Sequence, residues 1–253
     1  MSRYDRAITQ FSPDGHLLQV EYAMQAVAKG AVVVGVRGDD CVVIGVERKA
    51  VAKLQDPRTV RKIVKIDDNT TAAFAGLTAD ARVLIRKARV EAQSYRLTVE
   101  DAPTIEYMAR YVARQQQKHT VRGGVRPYGI TCVMAGKGSD GTPELWQSDP
   151  SGNYSQWRGV TTGRNKKATT EFLEANYPKA GADGQVPPLS RDATIKLAIQ
   201  ALAEVVDSGS KSMEISVLQK GKTVETLDDD AVNAVCEVIE KEKEEAAGKR
   251  AEE

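Results

Sequence analysis

Residues 4–23 read YDRAITQFSPDGHLLQVEYA. Within them, Phe11-Ser12-Pro13-Asp14-Gly15 predicts a tight turn: the ring of Pro13 fixes φ, and Asp14-Gly15 supplies polar capping and φ freedom. Leu17, Leu18, Val20, Tyr22, Ala23, Ala26 and Val27 then recur at roughly helical spacing, and Gly30 ends the helix they predict. From Ala31 the pattern changes to β. Ala31-Val32-Val33-Val34-Gly35-Val36 and Cys41-Val42-Val43-Ile44-Gly45-Val46 flank the turn-rich Arg37-Gly38-Asp39-Asp40, which predicts an antiparallel hairpin. Both runs are apolar at consecutive positions, so the sheet they start should be covered on both faces.

The rest of the chain alternates in blocks. Residues 63–66 and 71–74 predict a second strand pair across Asp67-Asp68-Asn69. Two helices follow, one with Thr78 as its cap and Asp80 in its first turn, the other starting near Pro103 in a first-turn position. Arg122-Gly123-Gly124-Val125-Arg126-Pro127 is a connection and not a phosphate loop, since no GxxxxGK[ST] is present. Strands are expected at 128–135, 144–148 and 154–160, helices at 167–177 and from Ser190, and a hairpin at 213–219 and 223–227. A last helix starts at Asp228-Asp229-Asp230, its acids suiting the dipole, and frays beyond Glu240 into solvated Glu, Lys and Ala. Hairpin-linked strands in blocks separated by helices argue for an α+β layered domain with antiparallel sheets.

Composition narrows the function classes. The 253 residues are 41% hydrophobic and 28% charged, as in a globular protein, and a net charge of +1 favours neither nucleic acid nor anionic membrane. The apolar runs are strand-sized, and the polar start (Arg3, Asp5, Arg6) has no h-region of a secretory signal. Three widely spaced cysteines, Cys41, Cys132 and Cys236, fit reduced thiols in the cytoplasm or nucleus. Two histidines, His16 and His119, are too few for a histidine-rich metal site.

The opening stretch resembles, nearly position for position, the N-terminal signature of proteasome alpha-type subunits: the Tyr-Asp-Arg start, the Phe-Ser-Pro-x-Gly turn and the Gln-Val-Glu-Tyr-Ala ending. Gly76-Leu77-Thr78-Ala79-Asp80-Ala81-Arg82 and Gly123-Gly124-Val125-Arg126-Pro127-Tyr128-Gly129 resemble the same family. The resemblance covers essentially the whole chain. It implies one domain, 1–253, a four-layer αββα sandwich of the Ntn-hydrolase type with an extra N-terminal helix. Residues 1–30 would be the gate segment and helix, and 240–253 a charged tail. The family implies partners: other alpha subunits in a seven-membered ring, beta-ring subunits, and the C-terminal tails of activators. It implies no cofactor, no metal, and a place in cytoplasm and nucleus. By the same likeness, Tyr4, Asp5, Pro13 and Tyr22 form a gate cluster. Lys62 with Gly76 and Leu77 receives activator tails. The helix over 19–29 lies near the ring's outer face, with Leu18 and Val20 in contacts between subunits.

The same fold hosts an N-terminal threonine peptidase in beta subunits. That chemistry needs a Thr, Ser or Cys freed as a new N-terminus, whose amine assists its own side chain. Cleavage there follows a Gly ahead of the first strand. Here Gly30 occupies that place and Ala31 follows, without a nucleophilic atom. Glu47 and Lys62 fall where active beta subunits keep an acid and a lysine, and a salt-bridged or exposed pair on a strand and loop is the commoner reading, above all for Glu47. GxSxG, HExxH and paired CxxC are absent. Three readings follow: a non-catalytic alpha-ring subunit, an active threonine peptidase of the beta or bacterial type, and an unrelated interaction module. Ala31 and the length of the signature favour the first.

Overall fold

The computed structural model describes residues 10–48, 54–179, 187–206 and 212–251. Tyr4 and Asp5 lie outside them. The elements run α1 (Leu18–Ala28), β1 (Val33–Arg37), β2 (Cys41–Glu47), a 3-10 turn (Pro57–Val60), β3 (Ile63–Asp67), β4 (Thr70–Gly76), α2 (Thr78–Val99) and α3 (Ile105–Val121). Then come β5 (Ile130–Lys137), β6 (Pro143–Ser148), β7 (Tyr154–Trp157), β8 (Gly159–Thr162), α4 (Lys166–Asn176), α5 (Arg191–Ala203), β9 (Met213–Gln219), β10 (Glu225–Thr226) and α6 (Asp229–Ala251).

Two five-stranded antiparallel sheets result, ordered β10-β9-β2-β1-β8 and β3-β4-β5-β6-β7. Strand alternation sorts the side chains into three cores. Val34, Val36, Cys41 and Val43 face α5 and α6 through Ile195, Ile199, Leu202 and Val232. Ala72, Phe74, Cys132 and Met134 face α2 and α3 through Leu84, Ala88, Met108 and Val112. Between the sheets lie Val33, Val42, Ile44, Ala73, Val133, Leu145 and Val160. This is the four-layer αββα sandwich, and the consecutive apolar runs of β1 and β2 exist because both sheet faces are covered. The sheets approach closely at Gly35, where a Cβ would stand 2.8 Å from Leu145 Cδ1.

Several boundaries differ from expectation for identifiable reasons. Residues 154–160 are two strands: the chain leaves the second sheet after Trp157 and joins the first at Gly159, with the Arg158 carbonyl accepting from Arg37 N–H at 2.7 Å. Thr78 does not cap α2. Leu77 is the N-cap, with no side-chain acceptor to offer, and its N–H donates instead to the Gly129 carbonyl. Pro103 precedes α3, whose cap is Thr104, its hydroxyl accepting from Tyr107 N–H. The expected strand 223–227 shrinks to Glu225–Thr226, and α6 stays helical to Ala251 instead of fraying after Glu240. Ser190 caps α5, accepting from Ala193 N–H at 3.4 Å.

Candidate functional site

The N-terminal stretch folds as its residue types dictate. Ser12-Pro13-Asp14-Gly15 is a β-turn closed by Gly15 N–H donating to the Ser12 carbonyl at 2.9 Å, with Gly15 at φ 82°. The Ser12 hydroxyl accepts from His16 N–H at 3.0 Å, and His16 Nδ1 lies 2.5 Å from Glu21 Oε1. Pro13 is exposed. α1 then buries Val20, Ala23 and Val27, and Val27 reaches the core between the sheets. Val20 therefore packs within its own chain and is not free for a neighbour; the apolar residues that α1 presents outward are Tyr22 and Met24, 43% and 40% exposed.

α1 sits where three glycines cross. A Cβ on Gly30 would lie 2.2 Å from Gly76 N, and one on Gly76 would lie 2.1 Å from the Gly129 carbonyl oxygen. Gly76 also adopts φ 113°, a region that side chains rarely enter. Leu77 N–H donates to the Gly129 carbonyl at 3.0 Å. Asp80 secures the crossing: its carboxylate accepts from Arg126 Nη1 at 2.6 Å, Arg126 Nη2 at 2.8 Å and Gly129 N–H at 3.0 Å. Burial pushes the Asp80 carboxyl up. The Arg126 and Gly129 hydrogen bonds, with the charges of Arg126 and His119, outweigh it and hold the group below its ordinary value.

Lys62, half-buried, precedes β3, and its N–H donates to Glu214 Oε2 at 3.3 Å. The β3–β4 pairing starts at Ile63↔Ala73, so Lys62 lies at the same end of the sheet as Gly76 and Leu77. Leu77 is 46% exposed there. Gly76 and Leu77 lie at the crossing beside the end of α1, and Lys62 lies at the same end of the sheet.

A separate arrangement surrounds Ala31, which is 4% exposed. Glu47, equally enclosed, accepts from Arg164 Nη2 at 2.5 Å and from Val32 N–H at 3.2 Å. Arg164 N–H in turn donates to the Gly30 carbonyl at 3.0 Å. A Cβ on Gly163, at φ 94°, would stand 2.1 Å from the Ala31 oxygen. Glu47 is thus ion-paired, and the partner is Arg164, a residue that the sequence does not single out. A separation of 117 residues leaves no local signal for such a pair. The Asp80–Arg126 pair is equally silent in the sequence, although both residues fall in stretches that carry the family likeness.

Comparison with known proteins agrees with this architecture. The family model described as "Proteasome subunit" matches residues 27–218, and the model for the N-terminal signature of A-type proteasome subunits matches residues 4–26. Proteasome subunit alpha type-7 of Dictyostelium discoideum is 54% identical over 243 residues, 96% of this chain and 94% of that protein. Proteasome subunit alpha type-7-1 of Drosophila melanogaster is 49% identical over 249 residues, 98% of each chain. Proteasome subunit alpha type-8 of Mus musculus is 52% identical over 246 residues, 97% of this chain and 96% of that one. Similarity to the alpha types 7 and 8 extends through the opening signature, the glycine crossing and the paired sheets, and the chain belongs to the proteasome family as an alpha-type subunit.

Proposed function

We propose that this chain is a non-catalytic subunit of the alpha ring of the proteasome core particle, in cytoplasm and nucleus. It contributes to ring assembly, to gating of the axial pore and to docking of activator tails during ATP- and ubiquitin-dependent protein degradation. The observation that carries this reading is Ala31. It stands where a peptidase of this fold needs a free-amine nucleophile, it has no nucleophilic side-chain atom, and it is enclosed at 4% exposure. The acid that could assist such a nucleophile, Glu47, is occupied by Arg164. For docking, Lys62 offers an ammonium to a terminal carboxylate, and Gly76 permits close backbone approach. For gating, Pro13 holds the turn that leads into the tail, and Tyr4, Asp5 and Tyr22 complete the cluster.

The test is the mass of the mature chain from the assembled particle, before and after a threonine-directed covalent inhibitor. An intact N-terminus and an unchanged mass are expected. Loss of the first thirty or so residues, or a covalent adduct on this chain, would establish the peptidase reading instead.

A further inference from the structure

The helix α2 and the strand β3 enclose a groove of about 630 Å³ whose charge is out of keeping with a chain of net charge +1. Arg82, Arg86 and Arg89 line it from one face of α2, at i, i+4 and i+7, and Arg61 and Lys65 line it from the β3 side. Among the described residues, no carboxylate lines this groove. Among the described residues, the one ion pair made by any of the five is Lys65 Nζ with Asp68 Oδ1, at 2.8 Å. Arg82 and Arg89 donate to the backbone carbonyls of Thr59 and Lys65, at 3.4 and 2.9 Å, which aims their side chains without neutralising them. Beneath the charges, Phe74 and Ile85 are already buried in the core under α2, so the groove offers charge more than apolar surface.

We infer that this groove receives an acidic segment of another proteasome subunit. Guanidinium forks match carboxylates in two-bond geometry, and several such partners are needed to neutralise four arginines held together. A subunit fixed by assembly is the source because the chain belongs to a family whose members assemble, and a permanent neighbour relieves the mutual repulsion of the arginines in every particle. The inference rests on the ring-subunit reading. Lys62 is not among the residues that line the groove, although its neighbours Arg61 and Ile63 are.

The experiment places a photoreactive benzoylphenylalanine at position 86 of the full-length chain, assembled in its particle, and identifies crosslinked peptides by mass spectrometry. Alongside it, the double variant R61E/R86E competes with wild-type chain for incorporation at low salt. Arg61 and Arg86 are both exposed, so monomer unfolding serves as a control and should be unchanged. The expected results are a crosslink to a segment of another subunit carrying two or more carboxylates, and roughly tenfold lower incorporation of R61E/R86E. The deficit should shrink as salt screens the charges, with R61Q/R86Q intermediate. A crosslink to an activator chain, to a segment without carboxylates or to nothing overturns the inference, as does equal incorporation of R61E/R86E. If wild-type chain itself enters no particle, the ring-subunit reading fails, and this inference with it.

Discussion

Asp80 and Arg126, 46 residues apart, meet in a two-bond ion pair with Oδ2–Nη1 at 2.6 Å and Oδ1–Nη2 at 2.8 Å, and Asp80 also holds the Gly129 N–H. The pair joins the start of α2 to the loop before β5 at the crossing that seats α1. Asp80→Asn removes the charge and should cost about 1.5–3 kcal/mol at neutral pH. Because the folded carboxyl titrates below its ordinary value, the contribution is complete above about 3.9 and is lost as pH falls through the folded value. Wild type and Asp80→Asn should therefore converge on acidification. Chemical denaturation between about pH 2 and about pH 7, which spans the carboxylate range, checks this; a constant difference would contradict it.

The glycine crossing gives a second prediction. Gly76→Ala should destabilise by about 2 kcal/mol or more, from strain at positive φ and from a Cβ pressed against the Gly129 carbonyl. Gly30→Ala meets the backbone of Gly76 and should loosen α1 as well. Gly123→Ala, with nothing within 4 Å of its Cβ, is the control and should be nearly neutral. Thermal unfolding with hydrogen exchange on α1 reads all three.

How much of this could be read beforehand depends on the distance over which each feature is encoded. The Ser12–Gly15 turn, the β1–β2 hairpin and the Ser190 cap are local chemistry, and each forms where its residue types require. The division at Arg158 has no local mark: residues 154–160 have continuous strand character, and only the packing of two sheets decides that the chain changes partner there. At Thr78 a good capping residue lies one position inside the helix, whose N-cap is Leu77, bonded through its N–H to the Gly129 carbonyl from a distant loop. The expectation of a site at Lys62, Gly76 and Leu77 rests on likeness to the family alone. The reason for Gly76, stacked between Gly30 and Gly129, required coordinates.

Arg164 supplies a third prediction. Arg164→Leu leaves the Glu47 carboxylate buried with, among the described residues, only the Val32 N–H, at a cost of about 3 kcal/mol. It should create no peptidase activity. Nor should Ala31→Thr, because the preceding residues keep the amine as an amide. Peptide hydrolysis by the purified chain with either substitution would overturn the assignment.

Lys62→Ala should weaken docking of an activator tail at this position by roughly one to two orders of magnitude, the worth of a charge-assisted hydrogen bond of about 1.5–3 kcal/mol. Lys62→Glu should be worse, and ring assembly should survive both. The whole particle will show less, since several tails bind together. Crosslinking of a single tail to this position is the direct readout, and equal yield in Lys62→Ala would make the lysine a bystander.

The central claim is that this chain is built into a ring through its N-terminal segment and carries no catalytic centre. The most direct measurement is native mass spectrometry of particles assembled with the full chain, with residues 1–30 removed, or with residues 243–253 removed. The last cut retains Glu242, whose carboxylate pairs with Lys196 at 2.5 Å. The account predicts that the full chain and the C-terminal truncation enter a large multi-subunit particle with the N-terminus intact. The N-terminal truncation, which strips Val20, Ala23 and Val27 from the core, should not. Normal assembly without residues 1–30, or a full chain found only outside such a particle, would contradict it.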